Sequence, residues 1–255
     1  MKTKVAFFGS DQYSQIVLDQ LKKSPRIEIT NQETEIGVLA SYGKILSLTT
    51  LEKFPSGILN LHPSLLPQYR GPSPVQTALL EGKTTTGITI IKMDQEIDHG
   101  PIVWQKEVRI EPEETAGQLY QRLFSLGTKA LLEFLPAYLK GELKLKEQDH
   151  SQTSYTQKLI RESGFIPLER IFHQPDLTFR KIRAYSPWPG AWTKVEINHQ
   201  SKRLKILKAH LEKKGLILDQ VQLEGKNSIT FKQLLEGYPQ IKTLFSQKKP
   251  QEVSL

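Results

Sequence analysis

Short apolar runs alternate with amphipathic segments through the first half of the chain, and this alternation constrains the fold more than any other feature. "KVAFF" (Lys4 to Phe8) reads as a short buried strand, Gly9-Ser10 as a turn, and "YSQIVLDQLKKS" as an amphipathic helix. Further strands are expected at Glu35 to Ala40, Gly57 to Leu61 and Gly87 to Met93, with helices near Thr50 to Phe54, Val75 to Glu81 and Thr115 to Leu135. Strands separated by helices argue for a mostly parallel, Rossmann-like α/β sheet covered on both sides. Gly9 alone does not make a dinucleotide fingerprint, because G-x-G-x-x-G is missing.

The pattern changes after "GELKLKEQDHSQTSYTQKL", where composition turns polar and periodicity is lost. The expected organisation is therefore a first α/β domain over 1–149, a linker over 150–167 and a second domain over 168–255. The second domain holds three β-leaning runs, "AWTKVEI", "RLKILKAHL" and "LILDQVQL", before a helical end, "FKQLLEGY". Charge divides the same way: residues 1–150 carry 17 Lys and Arg against 18 Asp and Glu, residues 151–255 carry 18 against 9. That asymmetry points to an anionic partner for the C-terminal part, nucleic acid first and an anionic membrane surface second, against the plainer reading of a solvated basic face.

With no cysteine, the chain has no disulfide, thiolate nucleophile or thiolate metal site. No apolar run approaches the roughly 20 residues a bilayer requires. The apolar run after Lys2 and Lys4 meets Gly9 and Asp11 too soon for a signal peptide, so a cytoplasmic protein is expected.

Chemistry concentrates in two places. "GILNLHPSLLPQYRGPSP" (Gly57 to Pro74) is a strand that runs out into prolines, and along it Asn60 and His62 share a face if the strand continues through both. Pro63 ends regular pairing there, placing both side chains at the C-terminal edge of the sheet, where ligands bind in open α/β folds. "MDQEIDHGPI" then packs Asp94, Glu96, Asp98 and His99 into six residues after the run "GITIIK". Were the two strands parallel neighbours, this loop would face His62. Amide, imidazole and carboxylate together suit acyl transfer.

Other readings stay open at this level. His62 alone is more often a structural hydrogen-bonder, and Asn60 alone can cap a turn. Ser64 or Ser73 can serve a hydrolase, though no G-x-S-x-G elbow exists; His62, His99 and Asp98 have metal-binding atoms without a recognised ligand spacing. His150, His173, His199 and His210 lie in polar surroundings with no companion cluster.

"NLHPSLLPQYRGPSPVQTALLEG" followed by "TTTGITIIKMDQEIDHGPI" resembles the catalytic core of the 10-formyltetrahydrofolate-dependent formyltransferases. "SYTQKLIRESGFI", "IRAYSPWPGAWT", "RLKILKA" and "VQLEGKNSITFKQLLEGY" resemble, in order, the linker and small OB-like β-barrel domain of the branch that formylates initiator methionyl-tRNA. The resemblance implies Asn60, His62 and Asp98 as the catalytic trio, without a metal. It implies a folate site lined by Ser64, Leu65, Leu66, Pro67, Tyr42, Gly43 and Asp94. Lys158, Lys202, Arg203, Lys205 and Lys208 become candidate tRNA contacts, and a monomer with no membrane partner is expected.

Two departures from the family pattern stand out. About a dozen residues separate the first helix from the strand at Glu35, where members of the family carry another strand, another helix and a basic loop that reaches tRNA. The C-terminal barrel is also trimmed. These losses keep two alternatives in play: formylation of a sugar-nucleotide amine, and a catalytically idle RNA-binding relative.

Overall fold

A computed structural model describes residues 2–32, 34–213 and 215–246. These form two compact units: one up to Lys158, the other from Leu159 onward together with the short segments Leu79–Gly82 and Pro112–Gly117.

The first unit begins with β1 (Thr3–Phe8), α1 (Gln12–Lys23), β2 (Ile27–Ile29) and β3 (Ile36–Leu39), then the single turn α2 (Leu48–Leu51) and β4 (Ile58–His62). It continues through α3 (Pro74–Leu80), β5 (Thr85–Lys92), β6 (Ile102–Arg109) and α4 (Ala116–Leu139). The sheet order is β2-β1-β3-β4-β5-β6. β3 and β4 are buried at every position, which is why they read as continuous apolar runs rather than alternating ones. Asp11 starts α1 by accepting from the backbone N–H groups of Tyr13 and Ser14, and Ser14 returns a bond to the Asp11 N–H.

Two features differ from the sequence-based expectation. The short connection between α1 and β3 still holds a strand: β2 pairs in parallel with β1 through Ile27, Glu28 and Ile29. Three residues with one buried isoleucine are too short to stand out as a periodic run. The second difference is direction. β4 pairs antiparallel with β5, and β5 antiparallel with β6. The loop after β5 therefore leaves from beside the start of β4, where the Met93 N–H donates to the Ile58 carbonyl at 2.8 Å. It does not leave from the end that carries His62.

The second unit contains α5 (Leu168–His173), α6 (Pro175–Ala184), β7 (Ala191–Ile197), β8 (Gln200–Glu212), β9 (Gly215–Leu223), β10 (Ser228–Thr230), α7 (Phe231–Gly237) and α8 (Pro239–Ser246). Its strands form an antiparallel sheet in the order β10-β9-β8-β7. Val195, Leu204, Ile206 and Val221 on one face pack with Phe179, Ile182 and Leu234 from the helices. The β7–β8 turn places Asn198 and His199 at φ 50° and 60°, the positive-φ pair of a tight hairpin turn. His199 is a turn residue.

Candidate active site

β4 presents Asn60 and His62 on one face, both buried at 6% and 4% exposure. His62 Nε2 lies 2.9 Å from the Tyr69 carbonyl oxygen. A carbonyl only accepts, so Nε2 carries the hydrogen and Nδ1 is left facing Asp98, 3.5 Å from Oδ2. Asn60 Nδ2 donates to Asp98 Oδ1 at 3.0 Å, and the Gly71 N–H donates to Asp98 Oδ2 at 2.8 Å. The three residues named from sequence thus converge although β5 runs the opposite way. The loop folds back over β4, and Asp98 turns it with φ 50°, a conformation Asp tolerates better than most side chains.

What holds the trio is the run Tyr69-Arg70-Gly71. The Tyr69 carbonyl anchors His62, the Gly71 N–H anchors Asp98, and the Arg70 side chain between them is 2% exposed. The Arg70 Nη2 donates to Gln148 Oε1 at 2.8 Å and lies 2.9 Å from His150 Nδ1. The backbone of this run pairs with residues 154–156: Arg70 N–H to the Ser154 carbonyl, and Thr156 N–H to the Arg70 carbonyl, each at 2.8 Å. Part of the segment expected as a linker is therefore woven into the site.

A cavity of about 320 Å³ opens beside the trio, walled by Leu39, Tyr42, Ile45, Asp94, Ile97 and Phe124. Tyr42 and Gly43 enter from the loop after β3, where Ser10 Oγ donates to the Tyr42 carbonyl at 2.7 Å. Asp94 Oδ1 accepts from the Glu96 N–H at 3.0 Å, and its Oδ2 lies 2.6 Å from His99 Nδ1. Tyr120 also lines the cavity; burial pushes its phenol up, and its OH donates to Gln76 Oε1 at 3.0 Å, so it stays neutral.

Ser64, Leu65, Leu66 and Pro67 are placed elsewhere. They are not among the residues lining the cavity, and the backbone of Ser64 and Leu66 is bonded to the sheet instead. Thr89 Oγ1 donates to the Ser64 carbonyl at 2.6 Å, the Leu66 N–H donates to Thr89 Oγ1 at 3.1 Å, and Gln105 Nε2 donates to the Leu66 carbonyl at 2.9 Å. This run ties the end of β4 to β5 and β6.

Two histidines described from sequence as lacking companions have them. His150 stacks on His99, ring centroids 4.1 Å apart and planes 2° from parallel, besides meeting Arg70. His210 lies 3.0 Å from Asp219 and 3.2 Å from Glu212. Among the described residues no group of three or more His, Asp or Glu is arranged to hold a metal ion, and no helix is long and apolar enough to cross a membrane.

The basic residues divide. In an antiparallel pair, residues opposite each other share a face. Arg203 lies opposite Lys194, Lys205 opposite Trp192 and Gln222, and Lys208 opposite Gln220. A bulge between Ile206 and Lys208 makes Leu207 the extra residue, which brings Lys208 onto the Lys205 face. Lys202 lies opposite the inward-facing Val195 and so belongs to the other face. Arg203 stacks on Trp192 at 4.1 Å. Lys158 is exposed in the first unit.

Fold and site together define a Rossmann-like α/β protein built around an amide-imidazole-carboxylate centre. Residues 19–135 match the family model described as formyl transferase, and residues 178–216 match that of the formyl transferase C-terminal domain. The chain is 36% identical over 224 residues to a methionyl-tRNA formyltransferase of Thermotoga neapolitana, covering 80% of this chain and 70% of the relative. It is 46% identical over 162 residues to the methionyl-tRNA formyltransferase of Chloroflexus aggregans, covering 63% of this chain. There the chain spans only about half, 51%, of the relative's length. The chain belongs to the formyl transferase family. Among solved structures, methionyl-tRNA formyltransferase from Clostridium thermocellum shares the fold at TM-score 0.67 and 19% identity, covering 87% of this chain and 98% of that one. HypX from Aquifex aeolicus, in complex with tetrahydrofolic acid, does so at TM-score 0.71 and 15% identity, covering 91% and 46%.

Proposed function

We propose that this protein transfers a formyl group from 10-formyltetrahydrofolate to the α-amino group of initiator methionyl-tRNA, in the cytoplasm. The observation that carries the reading is the convergence of Asn60, His62 and Asp98 beside a cavity of about 320 Å³, the lower end of the size range for small-molecule sites. The folate ring would enter between the Tyr42-Gly43 loop and the 94–98 loop.

In this reading the amine nitrogen attacks the formyl carbon, a C–N bond forms, and the carbonyl electrons move onto oxygen. Asn60 spends one Nδ2 hydrogen on Asp98 and offers the second to that oxyanion. Asp98 accepts the proton shed by the amine, with His62 Nδ1 beside it. Collapse breaks the bond to N10, which leaves with that proton. The products are N-formylmethionyl-tRNA and tetrahydrofolate. Arg203, Lys205 and Lys208, gathered on one sheet face, are assigned to tRNA phosphates, with Lys158 as a further candidate.

The test is incubation of the purified protein with 10-formyltetrahydrofolate and charged initiator methionyl-tRNA, repeated with amino-sugar nucleotides. Formylation of the tRNA supports the reading. Formylation of the sugar alone replaces the acceptor, and no turnover with any amine overturns formyl transfer.

A further inference from the structure

We infer that Gln148 is a positioning residue for Asp98, oriented for that task by the buried Arg70. The inference rests on the formyl-transfer reading for its catalytic consequence and on geometry for the rest.

Gln148 follows Lys146, whose backbone exchanges bonds with Ile102 at 2.7 and 2.9 Å, so its segment is attached to the edge of β6. Its side-chain Nε2 donates to the Asp98 carbonyl at 2.9 Å and to the Gly100 carbonyl at 2.8 Å. These are the two carbonyls that flank the end of the acidic loop. The amide cannot be turned around, because Arg70 only donates and must meet the oxygen, at 2.8 Å. Both hydrogens of Nε2 and the oxygen are used, and Gln148 is 5% exposed.

The cost of this arrangement points to its purpose. Arg70 is almost wholly buried, its partners Gln148 Oε1 and His150 Nδ1 are neutral acceptors, and its Nε is buried without a hydrogen-bond partner. A buried cation so served is poor value for stability alone. What it achieves is a fixed amide, and through it a fixed Asp98 peptide in its left-handed turn. With that peptide held, the carboxylate is aimed at Asn60 and His62, and misplacing a catalytic group by about 1 Å can cost about a hundredfold in rate.

Gln148→Glu separates positioning from folding. The carboxylate gives Arg70 a charged partner but repels the Asp98 and Gly100 carbonyls. The expected result is a melting temperature at or above the parent's, kcat lower by about 10- to 100-fold, and KM for the formyl donor within about threefold. Should Gln148→Glu not fold, Gln148→Met, which keeps size and removes both donors, is measured in the same way. A folded variant with kcat within about twofold of the parent overturns the inference. If the parent protein formylates no amine, the formyl-transfer reading falls, and amide hydrogen exchange over 93–101 decides the positioning role alone. Faster exchange in the variant supports it; unchanged exchange overturns it.

Discussion

His62 Nδ1 stands 3.5 Å from Asp98 Oδ2, while its Nε2 is already committed to the Tyr69 carbonyl. Nε2 is thereby the donor to that carbonyl and Nδ1 is turned to the carboxylate, an arrangement suited to moving a proton rather than to attacking a carbon. Asp98→Asn keeps the shape and the bond from the Gly71 N–H but removes the proton acceptor. We expect single-turnover formylation to slow by at least about a hundredfold in Asp98→Asn and in His62→Ala, the range of general acid-base catalysis. Near-parent rates in either would remove that residue from the mechanism.

Asn60 has a different part to play. In the proposed reaction its amide, with one hydrogen held by Asp98 and the side chain lining the cavity, leaves the second Nδ2 hydrogen for the oxyanion. Asn60→Ala should lower kcat by about 100- to 1,000-fold, the cost of losing one oxyanion donor. Binding of tetrahydrofolate, followed by fluorescence, should change by less than threefold. A loss confined to binding would make Asn60 a pocket wall instead.

The pattern of success in reading the sequence follows from the range of the interactions. That Asn60 and His62 share a face was legible because strand side chains repeat every two residues, but spacing left their role open, and the choice of Asp98 from its acidic cluster came from the family resemblance. The antiparallel return of β5 was not legible, since an apolar strand carries no mark of its direction. Neither was the bracing of Asp98: Arg70 meets Gln148 across 78 positions, and nothing local to either residue announces the other. Lys208 was assigned to the basic strand correctly, but its face depends on the bulge at Leu207, which simple alternation cannot supply.

Gly71 must place its N–H on Asp98 while adopting φ 104°, and a Cβ there would press on Thr156 Oγ1 at 3.0 Å. Gly71→Ala should therefore destabilise the protein by about 1–3 kcal/mol, the usual cost of a side chain in such a backbone conformation. It should also reduce turnover, because the same peptide aims the carboxylate. Urea unfolding monitored beside activity checks both; an unchanged midpoint would show that the turn relaxes freely.

The basic face makes a prediction that distinguishes neighbouring lysines. If Lys205 and Lys208 meet phosphate, replacing each by alanine should reduce the slope of log K against log salt for tRNA binding by about one. Lys202→Ala, on the opposite face, should leave the slope alone. Equal effects from all three lysines would mean that net charge, not this face, attracts the nucleic acid.

His210 supplies a pH dependence within the second unit. Its ring is bonded to Asp219 first and Glu212 second, and these bonds raise its pKa above the ordinary histidine value of 6.5. The folded state therefore holds this proton more tightly than the unfolded chain does. The resulting stabilisation is complete below about pH 6.5 and is lost as pH rises through the higher folded value. His210→Gln should lower the melting temperature at pH 6 more than at pH 9, with the gap from the parent closing as pH rises. A gap that is constant with pH would show that the ring contributes by packing, and that its two carboxylate partners leave the proton no more firmly held than in the unfolded chain.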